Sequence, residues 1–161
     1  VFFDITAEMA INSLFEVADH WTLGANWSIA SDVASHSSGS SSDIYQTPAV
    51  DIVVGGTYEF IYPMANRTGG TATIGLIGGT AVNGTARSTN ATHTESLVAG
   101  AGNNQIRIAS SVTGAFDINS LSVKRTDVPG GIWKPFEIVI SEGTVRGARF
   151  GRSYFSMLGR R

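Results

Sequence analysis

Three histidines, His20, His36 and His93, stand among many serines and thirteen acids, so a Ser–His–Asp set can be drawn on paper. Nucleophilic catalysis needs more than the residue types, because the serine must sit on a turn that presents it to a base and to oxyanion donors. No GxSxG segment supplies that turn, and no HExxH, P-loop or GxGxxG context is present. Asp and Glu are scattered, and spacing alone does not define a pair of glycosidase carboxylates. With no cysteine, the chain has no thiol nucleophile, disulfide framework or Cys-ligated zinc. No catalytic residue is assigned, and the expectation is a protein that is not an enzyme.

Binding chemistry is better represented. Sugars are held by aromatic rings that stack on their C–H faces and by amides, carboxylates or guanidinium groups that take their hydroxyls. Trp21, Trp27, Tyr45, Tyr58 and Tyr62 are the aromatic candidates, with Asn26, Gln46 and Arg67 as polar partners. Tyr58 and Tyr62 alternate with Phe60, which one packed strand face also explains. The ligand set taken forward is Trp21, Tyr45, Gln46 and Arg67. Four N-x-[ST] sequons, at Asn26, Asn66, Asn83 and Asn90, are read as unmodified in a chain so rich in Ser and Thr.

The ends carry a different chemistry. Residues 1–66 hold eight acids and no Lys or Arg, whereas from Gly143 onward there are five arginines and no acid. Arg146, Arg149 and Arg152 are interleaved with Phe150, Tyr154 and Phe155. Such a mixture suits single-stranded nucleic acid, a solvated tail, or a protein interface, where the planar fork of Arg meets carboxylates and aromatic rings. In a chain whose net charge is −2 overall, an acidic body disfavours nucleic acid and favours the interface. Phe2 and Phe3 in an apolar N-terminus, and Trp133, Arg146, Arg149, Arg152, Tyr154 and Phe155 near the other end, form the expected assembly surface, facing other proteins or sister subunits.

The elements that must position these residues read as strands. At 161 residues, 42% apolar and 15% charged, with 19 glycines, the chain fits one domain of short strands and tight turns. Thr57–Tyr62 alternates, and Pro63 is expected to end that strand or mark an edge. Asn66–Gly70 reads as a turn, Thr71–Ile77 as a strand with Ala72, Ile74 and Leu76 on one face, and Asn83-Gly84 as a type I′ turn. Thr92–Val98, Gln105–Ala109 (Ile106 and Ile108 inward, Gln105 and Arg107 outward) and Phe116–Val123 follow, the last with a bulge or change of face near Asn119-Ser120. Thr6–Val17 shows helical spacing but is read as extended. Ser35–Ser42 reads as a low-complexity loop too polar to pack. Past the Val128–Gly131 boundary, Ile132–Ile140, a turn at Ser141–Thr144 and a return to about Phe155 make a hairpin. No apolar run is long enough for a helical membrane span, and no signal peptide is visible.

One set of residues, in order and spacing, resembles a known family. It comprises Asn12–Glu16, Trp21, Asn26–Ile29, Ala34–His36, Gln46, Gly56–Tyr58, Thr92–Leu97 and the closing Phe116–Val123 (FDINSLSV). Over about residues 10–125 the chain resembles the galactose-binding-like jelly rolls, in particular the carbohydrate-binding-module-like domains common in bacteriophage structural proteins. The resemblance implies an antiparallel β-sandwich of eight or more strands, in which Trp27 occupies a position that usually packs in the core. It also implies a structural Ca²⁺ held by Glu16 and Asp117, with Asn119 standing where an acid is common; otherwise the two are ordinary strand-end polar residues. The fold alone does not fix a function. The expected organisation is an N-terminal arm at 1–11, a jelly-roll sandwich at 12–127 and a C-terminal hairpin with a basic tail at 128–161. The expected role is a non-enzymatic structural component of a phage virion (capsid decoration, head-fibre or tail protein) at the particle surface, with glycan adhesion as an optional addition. The alternative is a carbohydrate-binding module that recognises a cell-surface or polysaccharide glycan, with an extracellular location, and a glycan-processing enzyme is the third reading.

Overall fold

The computed structural model describes residues 7–127, together with the backbone of four short strands nearer the C-terminus. The chain divides into two units, Ile5–Asp127 and the segments Val1–Asp4 with Val128–Arg161. The first unit contains β1 (Thr22–Leu23), β2 (Trp27–Ala30), β3 (Val33–His36), β4 (Ser42–Gln46), β5 (Thr57–Gly69), β6 (Ala72–Ile77), β7 (Val82–Asn83), β8 (Ala91–Val98), β9 (Gln105–Ser110), β10 (Ala115–Ile118) and β11 (Ser122–Arg125). Five strands form one antiparallel sheet in the order β1-β4-β9-β6-β7. In the other sheet β5 pairs with β8 on one side and with β11 and then β10 on the other, and β3 and β2 continue beyond β10. From β3 to β6 each strand lies in the sheet opposite its predecessor, and the two sheets close over one core, which gives the expected antiparallel jelly-roll sandwich.

Period-two alternation sets that core. Ile44, Ile74, Leu76, Ile106 and Ile108 of the five-stranded sheet meet Tyr58, Phe60, Tyr62, Ile118 and Val123 of the other, all completely buried. Burying each such side chain is worth about 1.5–3 kcal/mol, and a register slip of one residue would expose the whole set on its strand. The alternation expected for Thr57–Tyr62, Thr71–Ile77 and Gln105–Ala109 is the observed one.

Several local expectations are corrected. Pro63 does not end its strand, and β5 runs on to Gly69. The Pro63 carbonyl accepts from Asn119 N, so its missing N–H faces the gap between β10 and β11, where no ladder donor is needed. Asn66–Gly70 is not a simple turn. Asn66 takes φ 50° inside β5, and the register shifts from Asp117↔Ala65 to Ala115↔Gly69, which makes a bulge. The reversal into β6 falls at Gly70 (φ 66°), packed against the backbone of Gly114. Neither Asn83 nor Gly84 takes positive φ, so there is no type I′ turn there; Gly84 N instead donates to Ile74 O and continues the edge of β6. Ser35–Ser42 is not all loop, because Ser35 and His36 belong to β3 and Ser42 to β4. The expected closing strand splits into β10 and β11 at Asn119–Leu121, the place where a bulge or change of face was expected.

Ala7–His20 is neither helix nor strand but a run of turns and bends. Phe15 takes φ 56° there and is completely buried, its ring centroid 5.3 Å from that of Trp21. Left-handed backbone costs a non-glycine residue about 1–2 kcal/mol, and the burial of a phenyl ring offsets it. Ala7–Ile11, at the end of the expected arm, lie on the sandwich as a strap. Met9 N donates to Val123 O, and Ala49 N donates to Met9 O. The Glu8 carboxylate accepts from Val123 N and Ser122 Oγ, both at 2.6 Å, and from Ala10 N at 3.1 Å.

In the second unit, β12 (Ile140–Ser141) pairs antiparallel with β13 (Thr144–Val145), with Ser141 opposite Thr144. The return is not one strand to Phe155. β14 (Ala148–Phe150) instead pairs with β15 (Ser153–Phe155), and Arg149 lies opposite Tyr154. Phe2, Phe3, Trp133, Arg146 and Arg152 lie outside the described residues.

The β2–β3 hairpin turns on Ser31 (φ 53°) and Asp32 (φ 61°) between the paired Ala30 and Val33, a type I′ turn built without Asn or Gly. The double substitution Ser31→Asn with Asp32→Gly is expected to stabilise the domain by about 1 kcal/mol. Thermal unfolding should show a Tm higher by a few degrees, and an unchanged Tm would mean that the turn carries no strain.

Candidate ligand-binding surface

Inward positions of the five-stranded sheet are spent on the core, so its outward positions form a second face. One row crosses all five strands, with Thr22 opposite Tyr45, Tyr45 opposite Arg107, Arg107 opposite Gly75 and Gly75 opposite Asn83. Arg107 is held from both sides. Its Nη1 donates to Asp43 Oδ2 at 2.7 Å and its Nη2 to Asn83 Oδ1 at 2.5 Å. A Cβ at position 75 would stand 3.2 Å from Arg107 Nε and 2.9 Å from Val82 O, so only glycine there lets the guanidinium lie down across β6. The buried Nε has no hydrogen-bond partner. Half-buried Tyr45 and the guanidinium are thus neighbours on adjacent strands, one apolar and one a fixed hydrogen-bonding fork. Such a pair can stack on a ring face and donate to adjacent hydroxyls.

The expected ligand residues are not brought together. Trp21 is buried against Phe15, and its Nε1 donates to Asn12 O, so it offers no ring to a ligand. Gln46 is also buried, and its amide is consumed by the strap, accepting from Ile11 N and donating to Ile11 O. Arg67 belongs to the bulge of β5 in the other sheet, where its Nε donates to Gly70 O. Of the four, Tyr45 alone lies on the outward row. Tyr58 and Tyr62 are core residues, as is Trp27, whose ring meets Phe116 edge-on with centroids 5.7 Å apart. The sequence placed Arg107 on an outward face but gave no sign of the strands beside it. Asn26, Asn66, Asn83 and Asn90 each have a hydrogen-bond partner in the fold.

Glu16 and Asp117 are the pair that the resemblance implies as calcium ligands. Glu16 is exposed, and its amide donates to Asn12 Oδ1. Both oxygens of Asp117 already accept, from Ser35 Oγ (2.6 Å) and Asn66 Nδ2 (2.7 Å). Among the described residues no three His, Asp or Glu side chains gather as metal ligands.

Two of the three histidines serve packing, and His20 is exposed. His36 is buried, with its ring 4.9 Å from Trp27 and 5.9 Å from Phe116. Its Nδ1 lies 2.8 Å from Gly114 O, and since a carbonyl only accepts, that nitrogen carries the proton. Ser110 Oγ sits 2.9 Å from the same nitrogen, but Ser110 is buried and no carboxylate joins the pair. Buried His93 hydrogen-bonds Thr89 O. An end cleft of about 430 Å³ between Thr47, Pro48, Asp51, Ile52, Asn103 and Asn104 has no aromatic wall. The Asn103 amide is spent on Gly100 N and Thr80 O.

A polar cluster closes the sandwich beside β8. Glu95 Oε1 accepts from Tyr62 Oη and Arg87 Nε, both at 2.9 Å, and Oε2 accepts from Thr85 N at 2.6 Å. Burial alone would raise the Glu95 carboxyl, but the Thr85 amide, Arg87 and Tyr62 together hold it below the usual carboxylate range. Burial, and then the bond to Glu95, push the Tyr62 phenol up. A carboxyl depressed in the folded state contributes stability above its unfolded pKa and loses it as pH falls through the folded one. Tm is therefore expected to fall on acidification below about pH 4, and Glu95→Gln should remove that part of the slope. Parallel acid limbs in wild type and variant would contradict this.

No family model matches the chain, and no curated protein matches it. Among solved structures, the chain is similar to the enzymatically active domain of tailspike protein 4 from bacteriophage CBA120, at 19% identity and a TM-score of 0.51. That likeness covers 74% of this chain but 21% of the tailspike chain, so the present chain spans about a fifth of its length. It is similar at 16% identity and a TM-score of 0.45 to the mannan-binding module of Man5C, covering 67% of this chain and 94% of the module. The C-terminal CBM6 of LamC, a marine laminarinase from Zobellia galactanivorans, gives 19% identity, a TM-score of 0.44 and coverage of 61% and 86%. At this identity the tailspike likeness is one of fold alone.

Proposed function

We propose that this domain binds carbohydrate without transforming it, through the outward row of the five-stranded sheet. One observation carries the reading: Tyr45 lies beside an Arg107 guanidinium that Asp43 and Asn83 pin flat over Gly75. A side chain braced on two sides has already lost its rotamer freedom, so a saccharide that meets it incurs little ordering cost. Affinity electrophoresis in soluble mannan and laminarin tests this. The wild-type chain should be retarded in at least one, and Tyr45→Ala and Arg107→Ala should each weaken binding about tenfold, the loss of one stacking contact or one charged hydrogen bond. Mobility unaffected by either polysaccharide, or retardation that survives both substitutions, would reject the reading.

The fold likeness to a phage tailspike domain supports a second reading, that the chain is a component of a virion, displayed at the particle surface and attached through its terminal segments. The two readings are compatible, since an adhesive sandwich needs a carrier. Phe2, Phe3, Trp133, Arg146, Arg149, Arg152, Tyr154 and Phe155 are the residues proposed for that attachment. Removing Gly143–Arg161 should then prevent incorporation into particles, scored by mass spectrometry of purified virions; normal incorporation would exclude the tail as the anchor.

A further inference from the structure

Sheets end in edges, and a bare edge offers unpaired backbone groups to another strand. Three of this sandwich's edges are short. β1 and β7 have 2 residues each and β2 has 4, whereas β8 has 8. Among the described residues β8 pairs with β5 alone.

Ladder arithmetic shows which groups are left over. Ala99 N donates to Gly56 O and Ala99 O accepts from Gly55 N, so residue 99 directs its groups toward β5. Backbone direction repeats every second residue, so Leu97, Glu95 and His93 do the same. The N–H and C=O groups of Thr92, Thr94, Ser96 and Val98 then point away from the sheet. The usual protections are missing: β8 has no proline and no lysine, and its one charged side chain, Glu95, turns inward to Tyr62 and Arg87. The outward side chains, Thr92, Thr94, Ser96 and Val98, are exposed and uncharged. Glu59, which lies beside Ser96 on the outer face, has Lys124 opposite it on its other side.

We propose that β8 is an interface on which a second copy of this chain pairs, antiparallel and about a two-fold axis at Thr94. Thr94 then faces its counterpart and Thr92 faces Ser96, giving a run of hydroxyl pairs that favours this register. About six backbone hydrogen bonds form, because each outward residue near the axis exchanges two with its opposite. Each copy is acidic overall, and this uncharged strip lets two acidic bodies meet without placing like charges in contact. The two six-stranded sheets become one continuous sheet, and the Tyr45–Arg107 faces of both copies stay open.

Sedimentation equilibrium of the full chain across the micromolar range is the test, with Thr94→Lys and Thr94→Pro as variants. Proline at 94 removes an outward N–H and leaves the β5 ladder its donors, so neither variant should lower Tm as a core substitution does. The wild type should show a monomer–dimer equilibrium that both variants shift to monomer. The chain has no cysteine, so Thr94→Cys should form a disulfide-linked dimer on mild oxidation, and exposed Val112→Cys should not. A wild type monomeric throughout, a dimer indifferent to both variants, or equal crosslinking at 94 and 112 would each overturn the proposal.

Discussion

The fold depends on β5 being paired along both sides at once. Its even residues direct their backbone groups to β8 and its odd residues to β11 and then β10, and Tyr58, Phe60, Tyr62 and Met64 bury their side chains in the core. One strand thus positions the closing strands of the chain, one wall of the core and the edge at β8. Its 13 residues exceed an ordinary strand length, and that length is what allows two short strands to share one flank in tandem. Proline is tolerated in its middle only because the changeover between them leaves a gap.

Large aromatic residues fill the core, and their polar ends are used to hold loops. Tyr58 Oη accepts from Val53 N at 2.7 Å, and Trp27 Nε1 donates to Ser42 O at 3.2 Å. Tyr62 reaches Glu95, and Trp21 reaches Asn12. Each ring contributes burial at one end and a fixed connection at the other, and an unpaired end would cost about 1–3 kcal/mol. This explains how a sequence with so few charges fixes its irregular segments, and why four of the five aromatic residues considered as sugar platforms lie in the core.

The sequence was legible where one period dominated. Ile106 and Ile108, Ile74 and Leu76, and the Tyr58–Phe60–Tyr62 row were placed correctly because alternation follows from strand geometry alone. It misled where a residue's usual role was overridden by its neighbours. Pro63 sits where no donor was needed, Asn83-Gly84 continues an edge, and Ser31-Asp32 makes a tight turn without the residues that usually signal one. His36 and Ser42 looked too polar to pack, yet His36 stacks on Phe116 and meets Trp27 edge-on. The candidate site was half legible: Tyr45 and the outward direction of Arg107 could be read, but not that β4, β9, β6 and β7 would lie side by side, since strand order is a long-range property.

The strap has a consequence for how the molecule comes into being. Glu8 and Val123 are 115 positions apart, and the carboxylate of one satisfies the amide of the other. Ribosomes deliver residue 8 early and residue 123 late, so the N-terminal segment must wait, undocked, until almost the whole sandwich has been synthesised. Closure is then a late step that joins the two extremes of the domain, and loop closure over such a span is slow compared with hairpin formation. Until it happens Met9 and Ala10 have no core to enter, and a nascent chain stalled before β11 presents an open sandwich to chaperones and proteases.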